Sequence, residues 1–412
     1  MAREAKEASR VLAKASTDLK NRGLKAMAKA LRRRARVVLS DNAPEVAAAK
    51  AAGRTAAFVD RLTLTPSRLE GVARALEDVA ALPDPVGAVR PFARRPNGLV
   101  IRRMRVPLGV VAIVYESRPG VTADAAGLCL KSGNAAVLRG GKEAVRANGA
   151  IAAALREGLR SVGLPPGAVG FVDDPDRAAV ARLLRLDSLI DLVIPRGGPE
   201  LTRSVREGSL IPVLAHDKGL CHTYVDAKAD LDMAADIAYN AKAERPGVCN
   251  AMETLLVHKA VAKRFLPEAA ARYAAAGVEL RGCPETRRIL PEAKAAAPAD
   301  WDTEYLDLVL SVKVVASLDE AVAHIARHGS GLAECIVTRD RKAAERFLRE
   351  VDAGAVYWNA STRFTDGGEF GLGAEMGIST QKLHARGPVA LEGLTCEKFV
   401  VYGRGQTRDS RK

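Results

Sequence analysis

The chain has 412 residues, of which 48% are hydrophobic and 27% charged, as in a globular protein of two or three domains with substantial cores. No apolar run approaches the ~20 residues of a membrane span, and the first residues are charged and helix-like, unlike a secretion signal. With 63 basic and 49 acidic residues the formal net charge is +14. This excess indicates an anionic partner, either a nucleic acid or a small molecule.

The residue types argue against several classes of protein. The six cysteines are scattered and form no C-x-x-C pair, so a disulfide framework is not expected and a reducing cytoplasm fits best. The six histidines show no metal-ligand spacing with the cysteines, and we predict no metal site. The densest basic cluster is formed by Arg32, Arg33, Arg34 and Arg36. No DNA- or RNA-binding motif accompanies it, so nucleic-acid binding ranks well below an enzymatic function.

The N-terminal part of the chain predicts helices. Residues 2–82 are rich in Ala, Arg, Leu and Glu, with breaks expected near 40–42 and at 63–67. Residues 102–107 predict a strand that leads into a new unit.

Strands and helices then alternate in two blocks. The strands predicted in the first block are 109–115, 135–138, 169–172, 192–194 and 223–225, with helices at 122–131 and 143–161. The second block has predicted strands at 255–257, 308–315, 335–338 and 356–358, and helices at 260–275, 319–328 and 342–351. A final strand is predicted at 398–402. Short apolar strands alternating with helices indicate an α/β fold with a parallel sheet covered on both faces.

Cys249 stands where a helix pattern gives way to an apolar strand. Pro246 and Gly247 break the pattern of residues 231–243, so the backbone turns there. A turn would present the thiol to a substrate, and the neighbouring Arg245 would favour the thiolate. The alternative is a small residue packed at a turn, and the local sequence alone does not decide between the two.

A glycine turn follows the strand predicted at 135–138. Gly140 and Gly141 lie between Arg139 and Lys142, at the start of the next helix. Backbone N–H groups at a helix N-terminus bind anions, and the two cations suit the 2′-phosphate of a dinucleotide. The alternative is an ordinary turn between a strand and a helix.

A second turn of this kind consists of Arg196, Gly197 and Gly198, after the strand at 192–194. Two such turns indicate a ligand site better than one, because ligands gather at the carboxyl ends of parallel strands. The glycine-rich stretch 371–377 reads GxGxxxG and follows no clear strand, so we interpret it as a structural loop and not as a dinucleotide fingerprint.

Several long motifs cover the chain almost from end to end. They include VPLGVVAIVYESRPGVTADAAGLCLKSGNAAVLRGGKEA, NAKAERPGVCNAMETLLVH and VDAGAVYWNASTRFTDGGEFGLGAEMGISTQKLHARGP. In these motifs the chain resembles the γ-glutamyl phosphate reductases (glutamate-5-semialdehyde dehydrogenases), a family of the aldehyde dehydrogenase superfamily.

The resemblance implies an aldehyde dehydrogenase-like α/β fold with a Rossmann-type cofactor domain, an α/β catalytic domain and a β-strand extension that joins subunits. We expect the N-terminal helices and the NADP-binding domain in residues 1–225, with the strand extension near 98–107. The catalytic domain would occupy 226–363, and a return segment with the C-terminal oligomerisation strand would occupy 364–412. A homo-oligomer is therefore expected.

The resemblance also implies roles for individual residues. Cys249 would be the nucleophile, and its own N–H, helped by Asn250 or Ser117, would stabilise the oxyanion. The residues expected to bind NADPH or NADP are Arg139, Gly140, Gly141, Lys142, Arg196, Gly197, Gly198 and Glu304. Within this set Glu304 would hold the nicotinamide ribose.

The reaction implied by the resemblance is the reduction of L-glutamyl 5-phosphate by NADPH to L-glutamate 5-semialdehyde and phosphate, through a thioacyl group on Cys249, in L-proline biosynthesis. The chain is too short to contain a glutamate 5-kinase as well. A separate glutamate 5-kinase is therefore a candidate partner that passes on the substrate. Two alternatives stay open: another acylating aldehyde dehydrogenase, which uses coenzyme A or a different acyl phosphate, and a basic binding protein on an inactive dehydrogenase fold.

His216 stands at a position that bears on the mechanism. Hydrolytic aldehyde dehydrogenases have a glutamate ahead of the nucleophile, at the start of a motif like Glu-Leu-Gly-Gly-Lys, and it activates the water that cleaves the thioester. The matching stretch here reads HDKG, and His216 replaces the glutamate. Loss of this general base fits an enzyme that passes an acyl group between thiol and phosphate and must exclude attack by water.

Overall fold

A computed structural model describes residues 1–216 and 218–408. Its α-helices are, in chain order, α1 (Ala2–Leu12), α2 (Thr17–Arg33), α3 (Ala35–Ala51), α4 (Ala56–Leu62), α5 (Pro66–Ala81), α6 (Val121–Lys131), α7 (Val145–Ser161), α8 (Arg177–Leu183), α9 (Pro199–Gly208), α10 (Leu231–Ala243), α11 (Lys259–Ala275), α12 (Pro284–Ile289), α13 (Leu318–His328) and α14 (Arg341–Glu350). None of these helices is long and apolar enough to cross a bilayer.

The strands alternate with these helices over most of the chain. In chain order they are β1 (Val89–Arg94), β2 (Val100–Pro107), β3 (Val110–Tyr115), β4 (Ala135–Arg139), β5 (Val169–Phe171), β6 (Leu192–Arg196), β7 (Cys221–Val225), β8 (Met252–His258), β9 (Glu279–Gly282), β10 (Lys294–Ala295), β11 (Val309–Val315), β12 (Ala333–Val337), β13 (Ala355–Trp358), β14 (Gly377–Ser379), β15 (Gly387–Val389) and β16 (Thr395–Tyr402).

The chain folds into two compact units, each built around its own sheet. The first unit comprises residues 1–214, 372–377 and 389–412, and the second comprises 215–371 and 378–388. A four-stranded parallel sheet in the order β5-β4-β3-β6 forms the centre of the first unit. All residues of β3 and β4 are buried, as expected for parallel strands covered on both faces.

The second unit contains a larger sheet of seven strands in the order β10-β9-β11-β8-β7-β12-β13. All its pairings are parallel, and helices connect most of its strands. Strand β8, which follows the Cys249 loop, lies near the centre between β7 and β11. The Cys249 loop therefore lies at the amino end of β8.

A separate antiparallel sheet of β1, β2 and β16 belongs to the first unit. The chain's last strand pairs along the whole length of β2, from Val100 with Tyr402 to Pro107 with Thr395. The strand predicted near 98–107 and the final strand predicted at 398–402 are therefore confirmed, and they are neighbours. On this sheet the rings of Phe92 and Phe399 lie 5.1 Å apart and are both solvent-exposed.

The predicted boundary between the first two domains is wrong by one strand. The sequence predicts residues 223–225 in the cofactor domain, but β7 pairs with β8 and β12 in the second unit. The second unit accordingly begins at Ala215, and it also takes in residues 364–371 and 378–388 of the predicted return segment.

The predicted helix break at 40–42 is also wrong, because α3 continues through it. Asn42 favours a break only if its side chain bonds to its own backbone. Here the Asn42 amide donates to the carbonyl of Leu62 at 3.0 Å and accepts from the N–H of Leu64 at 2.8 Å. The side chain thus fastens the end of α4 to α3.

Three of the four arginines in the basic cluster pair with acidic neighbours in the fold. Arg32 pairs with Glu70 at 2.9 Å and with Glu77 at 2.5 Å, and both Arg33 and Arg34 pair with Glu157. These ion pairs offset most of the positive charge with which the cluster would have to bind the phosphates of a nucleic acid.

Candidate active site

Cys249 lies in a turn between α10 and β8, as the sequence predicts. The N–H of Ala251 donates to the carbonyl of Val248 at 3.0 Å, and this bond closes a turn with Cys249 and Asn250 at its centre. The Cys249 side chain is half-buried and packs against the apolar cluster that contains Cys221. The turn therefore presents the thiol at the start of a central strand.

Gly219 and Cys221 fix the backbone of Cys249. A Cβ at Gly219 would overlap the carbonyl oxygen of Cys249 and lie 2.5 Å from its Cα, so only glycine fits there. The Cys221 thiol donates to the same carbonyl at 3.4 Å, and burial raises the pKa of this thiol well above its usual range. A neutral Cys221 suits a donor and not a second nucleophile.

Both polar atoms of the Asn250 side chain form hydrogen bonds within the second unit. Its amide nitrogen donates to the carbonyls of Thr365 at 2.9 Å and Arg363 at 3.3 Å, and its oxygen accepts from the Arg363 guanidinium. The Thr362 hydroxyl donates to the carbonyl of Asn250 at 2.8 Å. These bonds hold the turn beside Cys249. They engage the amide that the sequence predicts as an oxyanion contact, and that contact stays a prediction.

Glu304 is connected to Cys249 through Gly219. Its carboxylate accepts the N–H of Gly219 at 2.8 Å. Burial raises the pKa of Glu304, and this bond and Lys218 act in the opposite direction. One glycine thus contacts both Glu304, the predicted ribose contact, and Cys249, the predicted nucleophile.

The turn after β4 is shaped by close packing in the first unit. A Cβ at Gly140 would overlap the Asn148 amide nitrogen and lie 3.0 Å from the Tyr115 ring. The Asn148 amide nitrogen is buried and has no hydrogen-bond partner among the described residues. An unsatisfied donor beside a glycine turn fits a polar ligand approaching the backbone there.

The guanidinium of Arg139 is committed to the backbone. It is 8% exposed and donates to the carbonyls of Gly140 and Pro175, both at 2.8 Å. Burial lowers its pKa. Its direct contact with a 2′-phosphate is therefore disfavoured, whereas the exposed Lys142 leaves its cation available at the same turn.

Ser117 lies beside this turn in the first unit. Its hydroxyl donates to Glu143 at 3.4 Å, and both its hydroxyl and its N–H lie 3.3 Å from the position of a Cβ at Gly141. Ser117 therefore groups with the predicted cofactor residues of the first unit, and its contribution to the oxyanion stays a prediction.

The second glycine turn already contains a carboxylate. Glu116, which follows β3, accepts the N–H of Gly198 at 3.1 Å, and a Cβ at Gly197 would lie 2.6 Å from its carboxyl carbon. The sequence did not single out Glu116. Because an internal anion occupies this N–H group, the turn after β4 is the better phosphate site of the two.

A cleft of about 410 Å³ lies between α7 and the carboxyl end of β5 in the first unit. Val145, Gly149 and Phe171 form its apolar part, and Arg146 and Asp173 its polar part. The cleft lies at the carboxyl end of β5, the neighbour of the strand β4 that precedes the Gly140 turn. This position suits a base of a dinucleotide.

The loop at 371–377 packs as a structural loop. Gly373 has φ +76°, and a Cβ there would overlap the side chain of Leu82. Gly377 lies against the Arg196 guanidinium, where a Cβ would come within 2.8 Å. Both contacts lie within the first unit and explain the glycines without a ligand.

The comparisons with known proteins agree with this geometry. The profile of the Aldehyde dehydrogenase family matches residues 1–286 and 301–382. The gamma-glutamyl phosphate reductase of Carboxydothermus hydrogenoformans is 55% identical over 99% of this chain and 98% of its own, and that of Anaeromyxobacter sp. strain K is 56% identical over 99% and 96%. This chain belongs to the γ-glutamyl phosphate reductase family.

Solved structures place this member of the γ-glutamyl phosphate reductases in the same fold. The gamma-glutamyl phosphate reductase of Thermotoga maritima superposes with a TM-score of 0.97 at 47% identity, over 99% of both chains. An acetylating aldehyde dehydrogenase from Geobacillus thermoglucosidasius, at 17% identity and a TM-score of 0.67, covers 99% of this chain and 97% of its own and shares the fold. The predicted aldehyde dehydrogenase-like α/β fold is confirmed.

His216 belongs to the second unit of this reductase-family chain. Its Nδ1 lies 3.1 Å from the carbonyl oxygen of Ile378, so Nδ1 carries the proton and donates. The ring is thereby oriented, and its predicted replacement of a water-activating glutamate stays a prediction.

Lys242 and Glu253 are residues of the site that the sequence interpretation missed. Their charged groups form a buried pair, 2.6 Å apart, at the two ends of the Cys249 loop. A signal was present, because Lys242 shares a helix face with the buried Ala235 and Ala238. A lysine on that face, close to a cysteine turn, indicates a buried partner.

Proposed function

We propose that the protein reduces L-glutamyl 5-phosphate with NADPH to L-glutamate 5-semialdehyde and phosphate, a step of L-proline biosynthesis. The observation that carries the proposal is that Cys249 lies on a turn in a chain 51–56% identical to proteins named gamma-glutamyl phosphate reductase. The net charge of +14 suits an anionic substrate and cofactor. Transfer of the substrate from a glutamate 5-kinase stays a prediction.

Cys249 would act as the nucleophile. Its thiolate attacks the acyl carbon of the acyl phosphate, the carbon–oxygen bond to phosphate breaks, and a thioacyl enzyme and free phosphate result. The backbone N–H of Cys249 would stabilise the oxyanion. After reduction, the carbon–sulfur bond breaks, and the thiolate is regenerated as the aldehyde leaves.

NADPH would be held by the turn after β4 in the first unit. The unsatisfied Asn148 amide and the tight packing at Gly140 fit a polar group that approaches this backbone, and Lys142 would meet the 2′-phosphate. When bound, the cofactor supplies a hydride to the acyl carbon. The contact of Glu304 with the nicotinamide ribose stays a prediction.

The antiparallel sheet of β1, β2 and β16 would join two copies of this chain. Phe92 and Phe399 are 53% and 58% exposed, and Arg103 lies over both rings at 4.6 and 5.1 Å. Exposed aromatic side chains on a sheet with open edges are typical of an interface. Phe399→Glu should lower the molar mass in light scattering, whereas Lys398→Glu on the same strand should leave it unchanged.

The function is tested in the oxidative direction with L-glutamate 5-semialdehyde. We expect reduction of NADP to require phosphate, and coenzyme A not to replace it. The reverse result would identify an acylating dehydrogenase that uses coenzyme A.

Cys249→Ser supplies the matching control for the mechanism. A serine hydroxyl is a poor nucleophile without a base, so turnover should be lost while NADPH binding and the circular dichroism spectrum persist. Retention of more than a small fraction of the parent rate would remove Cys249 from the reaction.

A further inference from the structure

A buried ion pair closes the loop that carries Cys249. Lys242 lies in the last turn of α10 and Glu253 is the second residue of β8, and their side chains are 0% and 1% exposed. Lys242 Nζ lies 2.6 Å from Glu253 Oε2. The pair therefore joins the helix before the loop to the strand after it.

Stability alone does not explain this pair. Removing two charges from water is costly, and well-packed apolar residues often replace a buried pair without loss of stability. The surrounding face of α10 is made of buried alanines, which would accommodate an apolar pair. Burial raises the pKa of Glu253 to about 7 against the opposing effect of Lys242, and burial lowers the pKa of Lys242.

The second oxygen of Glu253 holds another segment of the second unit. Glu253 Oε1 accepts the N–H of Leu306 at 3.1 Å. Leu306 has φ +54°, a left-handed conformation that a leucine adopts only when its surroundings hold it there. A Cβ at Gly247 would lie 3.7 Å from the Leu306 carbonyl oxygen, so this segment contacts the Cys249 loop.

The same segment carries the residue assigned to the cofactor. Glu304 precedes Leu306 by two residues and accepts the N–H of Gly219, which packs on the backbone of Cys249. Between them, the ring of Tyr305 lies 5.8 Å from Lys242 Nζ. Both members of the ion pair thus contact the segment 304–306, and this segment reaches Cys249 through Gly219.

We propose that Lys242 and Glu253 are positioning residues that hold the Cys249 turn and the Glu304 segment in register as one unit. The proposal rests on the proposed function only in assigning Cys249 as the nucleophile. It predicts that loss of the pair misplaces the Cys249 thiol and backbone N–H while the sheet itself stays folded.

The test removes the pair without leaving a lone buried charge. Lys242→Met with Glu253→Met removes both the charges and the bond to Leu306. Lys242→Met with Glu253→Gln removes the charges but keeps an acceptor for the Leu306 N–H. The control is Lys20→Met with Asp84→Asn in the first unit, a pair 2.5 Å apart with side chains 0% and 6% exposed.

The main readout is the pH profile of Cys249 alkylation by iodoacetamide, because it needs no substrate. All variants carry Cys396→Ser, since Cys396 is exposed and the remaining four cysteines are buried. We expect the Met/Met variant to lose at least tenfold in alkylation rate at neutral pH and at least tenfold in kcat. The Met/Gln variant should lose less, and the control pair should keep the parent's profile and kcat.

The outcomes separate this proposal from the proposed function. A folded Met/Met variant with the parent's profile and kcat overturns the positioning role. If that variant does not fold, the Met/Gln variant decides, and a parent-like profile there overturns the role equally. If the parent does not turn over glutamyl phosphate but its alkylation still depends on the pair, the proposed function fails and the positioning role stands.

Discussion

Gly219 lies so close to the backbone of Cys249 that no side chain fits between them. A Cβ at Gly219 would overlap the carbonyl oxygen of Cys249. The N–H of Gly219 donates to the Glu304 carboxylate at 2.8 Å. The glycine therefore cannot retreat from an added methyl group without breaking the bond to Glu304. The predicted nucleophile, Cys249, and the predicted cofactor contact, Glu304, therefore depend on the same residue.

Gly219→Ala is accordingly expected to lower kcat by about 10²-fold, because a misplacement of ~1 Å in an active site costs that much. The measurement is steady-state kinetics together with thermal unfolding. Gly71→Ala is the control: Gly71 lies within α5, and apart from the adjoining backbone of that helix no atom of the described residues lies within 4 Å of the position of its Cβ. An active Gly219→Ala variant would show that the turn relaxes freely.

The charged residues of the Gly140 turn separate cofactor preference from turn structure. Lys142→Ala should weaken NADPH much more than NADH, since a hydrogen bond to a charged group is worth about 1.5–3 kcal/mol. Arg139→Ala should weaken both cofactors alike, because its guanidinium holds the carbonyls of Gly140 and Pro175. Fluorescence titration measures both, and a loss confined to NADPH in the Arg139 variant would restore the direct contact that the sequence suggests.

His324 makes the second unit sensitive to acid. Its ring is buried and accepts from Lys313 at 3.3 Å, and burial, followed by His222 and Lys313, lowers its pKa from 6.5 to about 2. The unfolded chain therefore binds a proton between those values and the native chain does not, so stability is lost as pH falls below 6.5. At pH 5 this loss amounts to about 2 kcal/mol.

His324→Gln should remove this part of the pH dependence. Urea unfolding at pH 7 and pH 5 is the measurement, and the variant's midpoint should shift less between the two than that of the parent. His258→Asn, which keeps an acceptor for the first turn of α11, is the control. Equal shifts in the parent and the His324 variant would contradict a neutral, buried imidazole.

The sequence predicts the elements of this fold better than their assembly. The continuous apolar run of β3 is visible because both faces of a parallel strand are buried. The neighbours of β7 are not visible, since its pairing with β12 joins residues distant in the chain. Strand β9, with four residues and no fully apolar run, gave no pattern to recognise.

In the site, too, local features could be predicted from the sequence, whereas contacts that depend on tertiary packing could not. The turn at Cys249 follows from Pro246 and Gly247, because both residues act locally. The direction of a long side chain does not follow from local sequence, and Arg139 accordingly turned out to bind carbonyls. Glu116, at the second glycine turn, is likewise defined by a contact with Gly198 across two strands.

His216 offers the most direct test of how this enzyme class avoids hydrolysis. The imidazole is held by its bond to the Ile378 carbonyl at 3.1 Å, and the sequence predicts that it replaces the general base of hydrolytic aldehyde dehydrogenases. His216→Glu should give phosphate-independent oxidation of the semialdehyde to glutamate, because a carboxylate can activate water against the thioester. A well-placed general base contributes roughly 10²–10⁴-fold, so a partial gain is expected.

The experiment follows NADP reduction with and without phosphate in the parent, in His216→Glu and in His216→Gln. Glutamine has the shape of glutamate without its basicity, so it should gain nothing. A parent that oxidises the aldehyde at full rate without phosphate defeats the idea at once. Equal rates in the Glu and Gln variants would mean that this position does not control hydrolysis, and that water is excluded by the surroundings of the thioester instead.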